Sequence, residues 1–334
     1  MKVIIPMAGK GKRMRPHTLT TPKPLIKLAG RTIVHHLLSE IKSVLDEPIE
    51  EINFVIGDFG DQVEKELKDL ADGLGANPRI SYQEEALGTA HAVYCAKKSL
   101  KGKVIVAFSD TLFKANFKLN TDVDEIVWTK RVEDPSSFGV VKKDENNFVS
   151  GFYEKPETFV SDEAIIGVYY FKNGEDLAGE IKYLLDNRIM GNSEYQLTDA
   201  LENLRKKGNQ ISTSIVNKWF DCGNKKATVD TNRQILKYLK DSDLVSPKAN
   251  VENSIVINPC YIGEDVYIKN SVIGPYVSVE SNTIVENALI NNSIIQSNTV
   301  IKNLNISGSM IGNHAEIIGN PMDLSAGDYT NLKY

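Results

Sequence analysis

From Val245 to Ile317, aliphatic residues recur every five or six positions: Val245, Val251, Ile257, Ile262, Ile268, Ile273, Val279, Val285, Ile290, Ile295, Ile301, Ile306, Ile311 and Ile317. A helix repeats its buried face every 3.6 residues and a strand every two, so neither produces this spacing. A parallel β-helix does, because each short flat face sends one aliphatic side chain into a central stack before turning a corner. Asn253, Asn270, Asn282, Asn287, Asn292, Asn298 and Asn313 suit those corners, since asparagine tolerates left-handed backbone. Such a solenoid offers long flat faces and open ends, so it is expected to serve as a scaffold for subunit contact.

The chain changes character near Lys240, which places one domain over residues 1–242 and the repeat domain over 243–334. The first domain opens on Val3, Ile4 and Ile5, an apolar run broken by Pro6 and the glycines after it. That is a buried strand feeding a loop. In a doubly wound sheet a first strand lies near the middle, and its loop lies where ligands bind. The loop carries Gly9 and Gly11, then Lys10, Lys12, Arg13 and Arg15, and finally Lys23 between Pro22 and Pro24. Glycines allow a tight turn whose N–H groups approach an anion, and the clustered cations in a chain of net charge −5 point to a phosphate cradle. It is neither a Walker A loop nor a dinucleotide fingerprint, because the required lysine-serine pair and third glycine are missing.

Beyond the loop, apolar stripes and runs alternate as helix and strand: Ile33–Leu45, Glu51–Ile56, Gln62–Leu70, Arg79–Gln83 and Lys103–Phe108. This βαβ order implies a parallel sheet with helices on both faces. His35 and His36 diverge on a helix and cannot share a metal. At Gln83 and Gly88 two readings stand side by side: an amide and an open backbone that read a pyrimidine edge, or a polar strand end and a helix start with Gly88 and Thr89 as caps. His91 is expected to be a packed helix residue. Asp110 follows the strongest buried strand, where a carboxylate can hold a hard divalent cation. Phe138–Val141 and Phe148–Tyr153 form a hairpin delivering Glu154-Lys155-Pro156; a further strand runs from Ala164 to Phe171, and Leu177–Leu185 is helical. Glu194 opens another helix, and Ile211–Val216 is a strand that leads to Trp219-Phe220-Asp221-Cys222-Gly223.

Ala8-Gly9-x-Gly11-x-Arg13 followed by Pro22-Lys23-Pro24-Leu25 resembles the signature of the sugar-1-phosphate nucleotidyltransferases, with Lys12 where that family usually has threonine. Gln83, Gly88 and His91 resemble the base-binding segment of its glucose-1-phosphate uridylyl- and thymidylyltransferases. The resemblance implies a Rossmann-like, mixed and mostly parallel α/β sheet followed by a left-handed parallel β-helix. By the same resemblance, Ala8, Gly9, Gly11, Gln83 and Gly88 bind the nucleotide, and Gly139, Glu154 and Gly167 face the sugar. Arg13, Lys23 and Lys155 would handle the phosphates, and Asp110 and Asp221 would hold Mg²⁺. Glu194 and Asp199, in an E-x-x-x-T-D pattern, are taken as supporting residues, and Asn224 stands where threonine is usual.

The implied reaction joins a nucleoside triphosphate, UTP or dTTP favoured, to a sugar 1-phosphate, glucose 1-phosphate favoured, and releases pyrophosphate. A mannose-1-phosphate guanylyltransferase is the alternative enzyme, and a non-catalytic nucleotide-sugar-binding regulatory subunit is the alternative of another kind. Related β-helices also transfer acyl groups, but His314 is expected to be an exposed corner residue. The mildly acidic balance supplies no footprint for nucleic acid or membrane. Cys95, Cys222 and Cys260 are too widely separated for a metal or disulfide framework. A cytoplasmic homo-oligomer with reduced thiols is expected.

Overall fold

The structure, a computed structural model, describes residues 1–191, 193–240, 244–320 and 325–331. It divides into two compact units: Met1–Ile26 with Thr32–Asn224, and Lys27–Arg31 with the chain from Lys225 onward. The boundary expected between residues 242 and 243 lies outside the described residues.

In chain order the strands of the first unit are β1 (Lys2–Pro6), β2 (Glu51–Ile56), β3 (Asn77–Tyr82), β4 (Val104–Ala107), β5 (Thr111–Lys114), β6 (Glu125–Arg131), β7 (Gly139–Lys143), β8 (Val149–Glu154), β9 (Glu163–Phe171), β10 (Ile211–Ile215) and β11 (Lys218–Asp221). Its α-helices are α1 (Ile33–Val44), α2 (Asp61–Gly73), α3 (Thr89–Cys95), α4 (Gly174–Asp186) and α5 (Leu197–Lys206). The main sheet runs β8-β7-β9-β4-β1-β2-β3, with β6 joined to β9 and β10 to β6. β1 lies between β2 and β4 and is parallel to both, as the alternation of strand and helix requires. Beyond β4 the sheet is mixed: β9 runs antiparallel to β4, β6 and β7, while β10 runs parallel to β6.

Burial follows the apolar pattern. Val3, Ile4 and Ile5 are fully enclosed, and α1 buries Ile33, Val34, Leu37, Leu38, Ile41 and Val44 along one stripe. The Thr32 hydroxyl caps α1 by accepting from the His35 N–H at 3.2 Å. The ends of β1 and β4 open on the same edge, and the Ser109 hydroxyl donates to the Pro6 carbonyl at 3.3 Å. The loop after β1 and the turn after β4 are thereby held together.

The second unit contains α6 (Lys225–Tyr238) and a left-handed parallel β-helix with three faces. Stacked partners are 17 residues apart in the early turns, as in Val251 with Ile268, and 16 apart at the end, as in Ile301 with Ile317. Ile262, Ile268, Ile273, Val279, Val285, Ile290, Ile295 and Ile301 fill the stack with no exposed surface. Val251, Ile257 and Ile317 share the spacing yet are exposed, because an outer turn has a neighbour on one side only. Asn253, Asn270, Asn282, Asn287, Asn292 and Asn298 occupy positive-φ corners. The corner expected at Asn313 belongs to its neighbour His314, with φ 56°, and Asn303 takes a corner the period did not single out. His314 is exposed, as expected.

Down one corner the asparagine amides form a ladder: Asn253 donates to Asn270 (2.7 Å), Asn270 to Asn287 (3.2 Å) and Asn287 to Asn303 (3.0 Å). On another part of this unit, Lys27–Arg31 is pinned by β-helix side chains. Ala29 N–H donates to Ser278 Oγ at 3.1 Å, Gly30 N–H to Glu280 Oε1 at 3.1 Å, and Gln296 Nε2 to the Lys27 carbonyl at 2.9 Å. Burial pushes the Glu280 carboxyl up to about 7, with Lys27 and the Gly30 N–H pulling the other way. No helix among the described residues is long and apolar enough to cross a membrane.

Candidate active site

Where β1 and β4 end, a cavity of about 420 Å³ opens, within the size range of a ligand cleft. Its wall includes Ala8, Gly9, Gly11, Lys12, Arg13 and Lys23 from the first loop, Gln83, Ala86, Gly88 and Thr89 from the segment after β3, and Phe108, Ser109 and Asp110 after β4. Eight of the residues singled out by sequence therefore share one space: Ala8, Gly9, Gly11, Arg13, Lys23, Gln83, Gly88 and Asp110.

The loop holds its shape by local contacts. The Thr18 hydroxyl donates to the Gly11 carbonyl at 2.8 Å, and Lys23 starts a 3-10 turn set up by Pro22. Lys23 Nζ reaches Asp110 Oδ2 at 3.3 Å; the lysine is mostly covered, whereas the aspartate is half exposed to the cavity. Asp221 arrives from β11, which pairs antiparallel with β5 and sets Asp221 opposite Thr111, the residue after Asp110. The backbones beside the two residues meet, since Cys222 N–H donates to the Asp110 carbonyl at 3.4 Å, but Asp221 is not one of the residues that line the cavity. At Gly223 an added Cβ would lie 2.8 Å from Asp221 Oδ1 and 3.1 Å from Arg13 Nη2, so the missing side chain leaves room for the guanidinium beside the carboxylate. Gly223 N–H donates to Asp221 Oδ1 at 2.7 Å.

Gly88 has φ +116°, and a Cβ there would sit 2.5 Å from the Tyr195 carbonyl oxygen and 2.6 Å from its nitrogen. Close passage of the 194–195 segment is what demands glycine here. Thr89 caps a different helix from the one expected: its hydroxyl accepts from Leu197 N–H, at 2.9 Å, at the start of α5. Glu194, expected as a supporting residue, precedes α5 and lines the cavity. His91 does more than pack, because its Nδ1 lies 3.3 Å from Gln83 Nε2.

Gly139, Glu154, Lys155 and Gly167 do not line this cavity. They form an adjoining group. Gly139 pairs with Glu154 across β7 and β8, and a Cβ at 139 would come 2.8 Å from Glu154 Oε2. Lys155 N–H donates to the Phe138 carbonyl at 3.1 Å, while Lys155 Nζ lies 3.7 Å from Glu154. Gly167 accepts from Phe108 N–H at 2.9 Å, and Phe108 is a cavity residue, so this group reaches the cavity through Phe108. Burial, and to a lesser degree the charge of Glu154, pushes the Tyr169 phenol above its usual range. Phe108, Ala86 and Ala92 are wall residues that the sequence did not mark, since single apolar residues carry no motif.

Residues 2–238 match the nucleotidyl transferase family. The chain belongs to that family. A glucose-1-phosphate thymidylyltransferase from Streptomyces griseus is 28% identical over 351 residues, covering 96% of this chain and 94% of the relative. A protein named bifunctional protein GlmU from Methanococcus maripaludis is 30% identical over 279 residues, or 82% of this chain and 62% of the relative. Among solved structures, a protein assigned as a glucose-1-phosphate thymidylyltransferase from Bacillus anthracis, in complex with sucrose, superposes with a TM-score of 0.57 at 21% identity. That match covers 69% of this chain and 93% of the other, and it supports the nucleotidyltransferase fold.

Proposed function

We propose that this nucleotidyltransferase joins a nucleoside triphosphate to a sugar 1-phosphate, with UTP or dTTP and glucose 1-phosphate as the preferred pair. One observation carries the reading: the glycine loop, Arg13, Lys23, Gln83, Gly88 and Asp110 wall a single cavity. A phosphate oxygen of the sugar 1-phosphate attacks the α-phosphorus, a new P–O bond forms, and the bond to the β-phosphate oxygen breaks to release pyrophosphate. The nucleophile is already an anion, so the protein needs no general base. Its work is alignment and charge neutralisation in a partly water-excluded site.

In this reading Gly9 and Gly11 present backbone N–H groups to the triphosphate, and Arg13 and Lys23 neutralise the departing pyrophosphate. Gln83 and Gly88 receive the base. Glu154 accepts from sugar hydroxyls, Lys155 pairs with the sugar phosphate, and Gly139 and Gly167 keep the ring's space open. Asp110 and Asp221 come from segments whose backbones meet, and both offer hard oxygen donors of the kind Mg²⁺ takes. Bound there, the ion would supply Lewis-acid stabilisation of phosphate oxygens. Lys23 lies 3.3 Å from the Asp110 carboxylate and so stands beside the same oxygens. The assembly expected is a cytoplasmic homo-oligomer built on the β-helix, following the division of labour near residue 242.

The deciding experiment is pyrophosphate release measured for four nucleoside triphosphates against several sugar 1-phosphates. Release with one pyrimidine triphosphate and glucose 1-phosphate supports the reading. Release with GTP and mannose 1-phosphate replaces it with the guanylyltransferase, and tight nucleotide-sugar binding without any release replaces it with a regulatory subunit.

A further inference from the structure

We infer that His91 is a positioning residue that makes the cavity select bases carrying a ring N–H, such as uracil, thymine and guanine, over cytosine and adenine. The inference rests on the proposed nucleotide reading and concerns a residue that does not itself line the cavity. It starts from the two hydrogen bonds that the Gln83 side chain makes among the described residues. Gln83 Nε2 lies 3.3 Å from the Gly88 carbonyl oxygen and 3.3 Å from His91 Nδ1. A carbonyl oxygen only accepts, so the nitrogen end of the Gln83 amide must face Gly88. Its second N–H then points at His91 Nδ1, which must be the unprotonated nitrogen of a neutral ring.

The proton belongs on the other ring nitrogen, and the contacts agree. His91 Nε2 faces Cys95 Sγ at 4.0 Å, the reach of a weak N–H to sulfur bond one turn along α3. Burial pushes the Cys95 thiol up, so the sulfur remains an uncharged partner. The order of control is therefore fixed backbone, then Gln83, then His91. Both amide donors are consumed inside the protein, and the group Gln83 has left for the cavity is its oxygen, an acceptor.

An acceptor at that place favours a base that presents a donor. Uracil and thymine present N3–H and guanine presents N1–H, whereas cytosine N3 and adenine N1 are acceptors. At that ring position the oxygen would face lone pair against lone pair with those two; their exocyclic amino groups are donors, so the selection rests on Gln83 meeting the ring nitrogen, where such a mismatch costs more than a lost hydrogen bond. Without His91 the second N–H is released, and the amide can turn to serve an acceptor as well as a donor. His91 thus closes off the alternative.

The test uses the full-length protein with Mg²⁺, glucose 1-phosphate and, in turn, UTP, dTTP and CTP. In His91→Phe the preference for UTP or dTTP over CTP should fall by about tenfold, the scale of one hydrogen bond, through KM with kcat little changed. His91→Asn places an amide oxygen near the former Nδ1 and should restore most of the preference. An unchanged ratio in His91→Phe overturns the inference, as does an equal loss in His91→Asn. Should the phenylalanine variant fold poorly, ¹⁵N NMR of the unaltered protein decides: Nε2-protonated His91 is expected, and an Nδ1-protonated ring overturns it. A protein that turns over no nucleoside triphosphate at all would sink the proposed function instead, and the tautomer measurement would still stand by itself.

Discussion

The asparagine ladder of the β-helix and the cavity of the first unit reach left-handed backbone by different means. Down one corner of the β-helix the positive-φ positions are filled by Asn253, Asn270, Asn287 and Asn303, whose side chains are exposed and bond to one another along the stack. Around the cavity they are filled by Gly11 and Gly88, where a Cβ would strike Thr18 in one case and the Tyr195 backbone in the other. The conformational cost of a Cβ in this region is about 1–2 kcal/mol. The ladder offsets it with hydrogen bonds, whereas the cavity avoids it and uses the freed space for a close approach. Along the ladder each asparagine meets the same neighbour one turn away, whereas at Gly11 and Gly88 a different segment passes close by.

Several measurements would break or sharpen this contrast. Asp110→Ala should lower pyrophosphate release by about a hundredfold to a thousandfold, the scale of removing a preorganised contact, with the thermal transition unmoved. Near-normal turnover in a steady-state assay would remove Asp110 from the site. At a ladder corner, Asn287→Ala should lower stability by about 2 kcal/mol, since it loses the amide bonds and keeps the Cβ. Asn287→Gly, which relieves the backbone, should cost about half as much; equal losses in urea denaturation would deny the ladder its part. Inside the stack, Ile290→Val should cost about 1 kcal/mol and leave kcat/KM alone.

The pH dependence of stability has the same sign in both units. Burial pushes the Glu280 carboxyl up to about 7, and it does the same to Glu125. A folded state that holds a proton more tightly than the unfolded chain is favoured at low pH, so stability should fall as pH rises from about 4.5 to about 7 and then level off. Glu280→Gln should flatten that slope in part, and so should Glu125→Gln. Denaturation midpoints at pH 5 and pH 8 check it, and an unchanged slope in both variants would contradict the shifts.

Much of the architecture was legible because periodicity is a local property. The aliphatic spacing announced the β-helix, and the apolar stripe from Ile33 announced α1. Errors gathered where position depends on the neighbouring chain. Asn313 fits a corner by residue type, yet the stack's shortened turn of 16 residues gives the corner to His314. Glu194 read as a supporting residue, and its place in the cavity wall comes from the 194–195 segment crossing Gly88. His91 lies on α3 as expected, and what the motif linking it to Gln83 did not show is that the two side chains meet at 3.3 Å.

By itself the chain's order of residues determined the strands, the helices, the solenoid and the chemical types available for a phosphate site. Those follow from short-range sterics and from which faces must leave water. Only the tertiary structure decided that Lys23 meets Asp110, that the backbone beside Asp221 meets that of Asp110, and that Gln83 presents an oxygen. Each of these depends on strand pairing and hydrogen-bond direction between segments far apart in the chain, and no local pattern carries that information.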